Sequence, residues 1–248
     1  MNDLARLDVA DHVATITLAR ADARNAISLE MIDALNAALT SLQAINDVRV
    51  LILAGEGKSF CAGMDLKAVQ DDPLKMSDML RNLTTFFMRL RQVSMPTIAS
   101  VQGAAIGGGC GLMVVCDFAV THPEAKLGYP EVDLGICPAV VAPWLSKKIG
   151  AGRARAMLLA GGTISGEEGH RAGLSSHLVA RDELESETAA LARRLTKGGP
   201  AALAATKAWL NELDGSLDEA TMLRGADISA ELVQGEEAQE RLRQLFSK

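Results

Sequence analysis

Three short segments of this chain carry groups suited to handling negative charge. Gly63, in Ser59-Phe60-Cys61-Ala62-Gly63-Met64-Asp65-Leu66, and the triplet Gly107–Gly109, in Gln102-Gly103-Ala104-Ala105-Ile106-Gly107-Gly108-Gly109-Cys110, let backbone come close to a ligand and permit positive φ. A helix is expected to start near Gly108, which would aim free N–H groups and the helix dipole at an oxygen gaining charge. The third segment, Gly128-Tyr129-Pro130-Glu131-Val132-Asp133-Leu134-Gly135, sets Glu131 beside apolar Tyr129, Val132 and Leu134, where burial raises a carboxylate pKa toward the range useful for proton transfer. Each segment also has a plainer reading. Glycines pack helices against strands, and a Glu in a Tyr-Pro-Glu turn is ordinarily solvated.

Other chemistries fail on spacing. Gly57-Lys58-Ser59 resembles the end of a phosphate-binding loop, but Ile52 stands where that motif requires glycine. The run Gly107–Gly111 is followed by Leu112, which breaks a dinucleotide fingerprint. No G-x-S-x-G elbow occurs. Cys61, Cys110, Cys116 and Cys137 have no C-x-x-C spacing and no His cluster beside them, so reduced, mostly buried thiols are expected and no metal site. His12, His122, His170 and His177 lie in unrelated contexts and read as surface or capping residues.

The elements that must position these groups follow from periodicity. Val13–Ala19 alternates as a strand, and Ser28 caps an amphipathic helix over 29–46. Val48–Ala54 and Thr97–Val101 are apolar runs of buried-strand length, and a helix spans about Met76–Val93. Met113–Val120 holds a helix end and then a strand, and helices follow at Pro138–Ile149 and Ala151–Ala160. From Asp182 the pattern is helical, with breaks at Gly198–Pro200, Gly215 and Gly235. The class is α/β, with a core over 1–195 and a helical segment over 196–248. The 248 residues, 48% of them hydrophobic, suffice for a sizeable core, and 3% aromatics means aliphatic packing. A net charge of -6 argues against a nucleic-acid surface. The first eighteen residues lack the apolar run of a signal peptide, and the longest apolar run, Ala104–Val115, is too short for a membrane span and holds four glycines. A cytoplasmic protein is expected.

Taken in order, the three segments resemble the enoyl-CoA hydratase/isomerase (crotonase) superfamily, and Arg24-Asn25-Ala26 resembles that family's early R-N-A-L element, with Ile27 in place of Leu. The resemblance covers about Val13 to Val179. It implies a crotonase-like ββα spiral core and an acyl-CoA thioester substrate, with coenzyme A as part of the substrate and no other cofactor. It implies that the N–H groups of Met64 and Gly108 form an oxyanion hole for the thioester oxygen. Asp65 reads as the N-cap of a short helix from Leu66, fixing the loop. Arg24, Ala26, Lys58, Ala62, Gly63 and Gly107 are placed by the resemblance around the CoA and substrate. Arg24 and Lys58 are candidates for its phosphates, and equally read as solvated loop charges.

The family's hydratases use two glutamates. Glu131 matches the second, whereas the first falls at Gly111, which cannot move a proton. One carboxylate suffices for an isomerase, and some relatives hydrate with this second glutamate alone. The run Gly135-Ile136-Cys137-Pro138-Ala139-Val140-Val141-Ala142-Pro143-Trp144 resembles an element of bacterial hydratases for branched acyl-CoAs such as methylglutaconyl-CoA. The expectation is an enoyl-CoA hydratase with Glu131 as sole acid/base. An enoyl-CoA isomerase using the same residue is the alternative, and a non-catalytic acyl-CoA binder is the alternative from another class. Met113, Val140 and Trp144 are candidates for the acyl pocket, as are Met79, Leu80 and Phe87, and all read equally as core. The likeness implies a homotrimer or dimer of trimers. The tail Arg241–Lys248 is shorter than the basic, Phe-containing tail with which relatives reach a neighbour's CoA.

Overall fold

A computed structural model describes residues 4–68 and 72–246. Ser247 and Lys248 of the tail and Met1–Asp3 of the N-terminal reading lie outside the described residues.

The chain begins with β1 (Ala5–Ala10) and β2 (Val13–Leu18), an antiparallel hairpin closed by Asp11 and His12, both at positive φ. Two such residues in a two-residue loop match the right-handed twist of the paired strands. Then come α1 (Leu29–Gln43), β3 (Val50–Gly55), α2 (Pro73–Arg91), β4 (Thr97–Val101), β5 (Ala105–Ile106), α3 (Gly108–Val115) and β6 (Phe118–Thr121). After β7 (Lys126–Gly128) follow α4 (Ala142–Ile149), α5 (Ala151–Ala160), β8 (Thr163–Ser165), α6 (Gly166–Ala172) and β9 (His177–Leu178). Four helices complete the chain: α7 (Leu184–Leu195), α8 (Pro200–Leu213), α9 (Glu219–Val233) and α10 (Glu236–Phe246).

The main sheet has the order β1-β2-β3-β4-β6-β9, parallel from β2 onward. Its central strands read as continuous apolar runs because both faces are covered. Leu51, Leu53, Ala99 and Val101 face the principal core, while Val50, Ile52, Ile98 and Val120 pack against Leu184, Leu191 and Ala192 of α7. A smaller sheet, β5-β7-β8, carries the chain toward the segment containing Glu131. Ser28 caps α1 by accepting from Met31 N, and Ser165 and Glu168 form a reciprocal capping box on α6.

The C-terminal helices join the core. Met222, Ala226, Ala230 and Val233 of α9, and Ala238 and Leu242 of α10, belong to the principal hydrophobic cluster, and α9 packs along α2. α8 is fastened by Lys207, whose Nζ donates to the Asp117 carboxylate at 2.8 Å and to Met95 O at 2.9 Å. Among the described residues no helix is long and apolar enough to cross a membrane.

Candidate active site

The site is assembled from loops held in register by backbone bridges. Asn25 is fully buried, and its side-chain amide donates to the carbonyls of Glu56, Ser59 and Phe60 while its Oδ1 accepts from Arg20 N. That one side chain ties the loop before α1 to the loop after β3. Ile27 N donates to Gly63 O and Asp65 N to Ile27 O, both at 2.8 Å, forming a parallel bridge between Ile27 and Met64. In a parallel bridge of this kind the N–H of the enclosed residue points away from its neighbour. Met64 N–H accordingly has no hydrogen-bond partner among the described residues. A second bridge, Cys61 with Ala105, lays the 61–64 loop beside the start of α3.

The first turn of α3 is seated against that loop. A Cβ at Gly109 would lie 2.2 Å from Cys61 O, so only glycine permits the approach. Gly107 sits at φ 54°, ψ -121°, a region open to glycine alone, and there the chain turns into the helix. The first helical bond runs from Gly111 N to Gly107 O at 2.9 Å. Gly108 N–H therefore lies in the first turn, without an intrahelical partner, and no other partner is found among the described residues.

Glu131 comes from the 3-10 turn Pro130–Leu134, which Gly135 closes in the left-handed conformation at φ 70°. Fully buried Tyr129 anchors the turn's entry. A Cβ at Gly107 would be 3.1 Å from Glu131 Oε1, so the carboxylate lies directly beside the turn into α3. Its Oε2 is buried and has no hydrogen-bond partner among the described residues. Loss of hydration pushes the Glu131 pKa up to about 7, with the charge of Asp133 adding to the rise and its own backbone N–H opposing it. Both protonation states are then populated near neutrality.

Ala62, Gly63, Met64, Gly107, Gly108 and Glu131 line one cavity, with a volume of about 80 Å³. Arg24 and Lys58 lie exposed, and the side chain of neither forms a hydrogen bond or ion pair with another described residue. Ala26 is half-buried in the same loop as Arg24, and Ala62 N donates to Arg24 O. Asp65 precedes the 3-10 turn Leu66–Ala68 and accepts from Arg20 Nη1 at 2.6 Å.

The acyl-pocket candidates divide. Val140 and Leu80 line the cavity. Met113 and Trp144 do not: Met113 is wholly buried in the core on α3, and Trp144 on α4 borders a separate cleft beside Lys148 and Lys207. Met79 and Phe87 are likewise core residues. For Met113 the apolar character gave no direction, because every residue of α3 is buried and the helix has no distinguishable face. Sequence reasoning missed Ser229 and Val233 of α9, which reach the cavity from the C-terminal segment. The helical pattern of the C-terminal segment gave no sign of what α9 packs against.

Gly111 explains the absent carboxylate sterically. A Cβ there would meet Phe87 Cζ at 2.7 Å and Val141 Cγ1 at 2.9 Å. Hydrocarbon thus fills the space into which a side chain at 111 would point. Cys61, Cys110 and Cys116 are buried, with thiols pushed up to about 12 by desolvation, so they do not supply a nucleophile. His122 is buried rather than superficial, bonded to Glu124 and to Gln102 O. Among the described residues no cluster of three or more His, Cys, Asp or Glu is placed to hold a metal.

The family model described as enoyl-CoA hydratase/isomerase matches residues 8–243. The chain belongs to the enoyl-CoA hydratase/isomerase family. A Thermus thermophilus relative, named provisionally as an enoyl-CoA hydratase, is 36% identical over 208 residues, covering 82% of each chain. An enoyl-CoA isomerase/hydratase of Zymoseptoria tritici is 35% identical over 217 residues, 79% of this chain and 70% of that one. The crystal structure of an enoyl-CoA hydratase from Mycobacterium avium superposes with a TM-score of 0.88 at 27% identity, covering 100% of this chain and 97% of that one. The α/β architecture is therefore that of the family, with the crotonase-like core expected from the sequence.

Proposed function

We propose that the protein is an enoyl-CoA hydratase that adds water to a 2-enoyl-CoA, with Glu131 as its single acid/base. The observation that carries this reading is a buried, unpartnered carboxylate oxygen in the same cavity as two unengaged backbone N–H groups. The N–H groups of Met64 and Gly108 receive the thioester oxygen. As water attacks Cβ, negative charge moves onto that oxygen, and the donors hold it without reorganising. Each such donor is worth about 2.7–4 kcal/mol of transition-state stabilisation. Glu131 takes a proton from the attacking water and returns one to Cα, which collapses the enolate. A pKa of about 7 suits a group that must accept and then give a proton near neutral pH.

Gly63 and Gly107 supply the close backbone approach, while Ala26 and Ala62 shape the entry and Asp65 holds the loop through Arg20. Exposed Arg24 and Lys58 meet the CoA phosphates. Coenzyme A arrives as part of the substrate, and no further cofactor enters this scheme. The chain acts in the cytoplasm as a homotrimer or dimer of trimers, using 196–248 for assembly. Exposed Trp209, Leu210 and Leu213 on α8 favour such an interface. A monomer in sedimentation would count against that assembly.

One observation favours a second reading. Because Phe87 and Val141 close the space at Gly111, a single carboxylate faces the substrate, which suits shuttling a proton between two carbons in an enoyl-CoA isomerase. Incubation with 2-enoyl-CoA and with 3-enoyl-CoA in ¹⁸O-labelled water separates the two. Hydration consumes the 2-enoyl absorbance and incorporates label, whereas isomerisation creates that absorbance from the 3-enoyl substrate. If neither thioester turns over and Glu131→Gln changes nothing while CoA thioesters still bind, the chain is an acyl-CoA binder.

A further inference from the structure

We infer that Asp133 is a positioning residue for Glu131: its side chain and the Tyr129 N–H are both bound to Gly162, and this two-point clamp across the turn holds the Glu131 carboxylate beside the entry to α3. The inference rests on the proposed acyl-CoA reading and adds a residue to its proton-transfer machinery.

Glu131 needs such a hold. Its buried Oε2 has no hydrogen-bond partner among the described residues, so no bond at that oxygen fixes it and the backbone beneath must aim it. That backbone is gripped on both sides. Before Glu131, Tyr129 N donates to Gly162 O at 3.1 Å. After it, Asp133 Oδ2 accepts from Gly162 N at 3.0 Å. One residue thus binds positions 129 and 133, with Glu131 midway between them. The grip is tied to the other half of the site, because Gly107 N, at the entry to α3, donates to Gly128 O at 2.8 Å.

The loop that carries Gly162 is shaped for this contact. Gly161 and Gly162 link α5 to β8 at φ 66° and 69°, in the left-handed region that favours glycine. A Cβ at Gly161 would lie 2.7 Å from Val132 Cγ2 and 2.8 Å from Asp133 Oδ1, so bare backbone lies against the turn. The Tyr129 bond is backbone to backbone, whereas the Asp133 bond is one that a substitution removes. The turn then keeps its own bonds, Gly135 N to Val132 O and Ile136 N to Glu131 O, and Arg241 of α10 still donates to Asp133 O of the backbone. Asp133 is exposed, so its replacement leaves the core untouched.

Asp133 also brings a negative charge near Glu131. The other titratable groups around the turn are few. Cys110, Cys137 and Tyr129 are uncharged near neutrality, since burial raises all three. On α10 Arg241 is paired with Glu237, and α5 carries Arg153, bonded to Ala172 O, and exposed Arg155. Among the described residues lining the cavity there is no Lys, Arg or His. Bond and charge at Asp133 can therefore be separated by substitution there alone.

Asp133→Ala and Asp133→Asn are compared with the wild type in turnover of a 2-enoyl-CoA and in the titration of Glu131, read from the carboxyl ¹³C signal that Glu131→Gln removes. Asp133→Ala should keep its thermal midpoint and its KM but lower kcat about 10- to 100-fold, the cost of a displacement of order 1 Å at a reacting group. Its Glu131 inflection should fall from about 7 toward the ordinary 4.5 as the carboxylate gains water. Asp133→Asn keeps an acceptor oxygen and loses only a charge that salt screens, so it should hold kcat within about threefold and leave the inflection nearer 7. Wild-type kcat together with a wild-type Glu131 titration in Asp133→Ala overturns the clamp. So does an Asp133→Asn variant as impaired as Asp133→Ala, which would assign the effect to charge. If the wild type turns over no enoyl-CoA while Asp133→Ala still lowers the Glu131 inflection, the hydratase reading falls and the clamp stands.

Discussion

Asp117 and Glu131 are both carboxylates drawn into the protein, and their surroundings treat them oppositely. Asp117 Oδ2 accepts from Thr97 N at 2.8 Å, Thr97 Oγ1 at 2.9 Å and Lys207 Nζ at 2.8 Å, and Arg91 stands 3.5 Å from its other oxygen. Those bonds join the start of β4, the approach to β6 and helix α8. Glu131 has apolar walls and a buried oxygen with no partner. The first arrangement fixes an assembly of elements. The second keeps a proton acceptor poorly solvated, and so ready to bind a proton. A fold tolerates such an unsatisfied group where the surrounding structure determines it, which is characteristic of a site that acts.

Breaking Glu131 gives the largest effect on activity. Glu131→Gln should lower kcat for 2-enoyl-CoA by about 10²–10⁴-fold, the usual worth of a positioned acid/base. Stability should move the other way. The folded pKa, about 7, lies above the ordinary 4.5. The native state therefore holds this proton more tightly than the unfolded chain, and stability is lost as pH rises from 4.5 to 7. The Gln variant escapes that loss. Chemical denaturation should find it more stable than wild type at pH 8, by up to about 3 kcal/mol, with no difference below pH 4. A variant both inactive and less stable at pH 8 would mean that Glu131 is held by interactions, like Asp117.

Asp117→Ala should show the opposite signature. It strands Lys207, 7% exposed, without its counter-charge. Removing one partner of a buried pair costs about 3–5 kcal/mol, so the thermal midpoint should fall while kcat per folded molecule stays near wild type. A large fall in kcat with an unchanged midpoint would transfer a catalytic part to this cluster. Smaller again is the pH effect on the wild-type enzyme. In the proposed hydration Glu131 must be ionised to take the proton from water, so kcat/KM should fall about tenfold per pH unit below an inflection near 7 and level off above it. A profile flat from pH 5 to 8 would remove Glu131 from the proton transfer.

The contrast also marks what the sequence disclosed. Local pattern located the central strands, and Thr97–Val101 coincides with β4. Motif order singled out Met64, Gly108 and Glu131, which the fold gathers around one cavity. β1 was missed because Ala5–Ala10 is a mostly exposed edge whose short alternation of Ala5, Leu7 and Val9 with Arg6 and Asp8 buries little, and β5 and β9 because two residues carry no period. The back wall of the cavity was equally hidden. Ser229 and Val233 lie about a hundred residues beyond Glu131, and their partnership with α2 is tertiary. Asn25 was named only within a motif. Its part in tying two loops rests on three carbonyl acceptors that no spacing reveals.

Gly111 sharpens the comparison at the smallest scale, because there the protein has replaced a possible second carboxylate with contact between hydrocarbons. If packing excludes a side chain at 111, Gly111→Ala must displace the Phe87 ring and Val141, which lie 2.7 and 2.9 Å from the new methyl group. Overpacking of that order destabilises by about 1–3 kcal/mol. Gly111→Ala should lower the denaturation midpoint accordingly, while the fraction that folds keeps its hydratase rate, since no group in the proton path has changed. Phe87→Leu makes room for the methyl, and in that background the same Gly111→Ala step should cost less than in the wild type. Equal losses in both backgrounds would locate the requirement for glycine in the α3 backbone instead of in the Phe87 contact, and the single carboxylate of this site would then need another explanation than a filled wall.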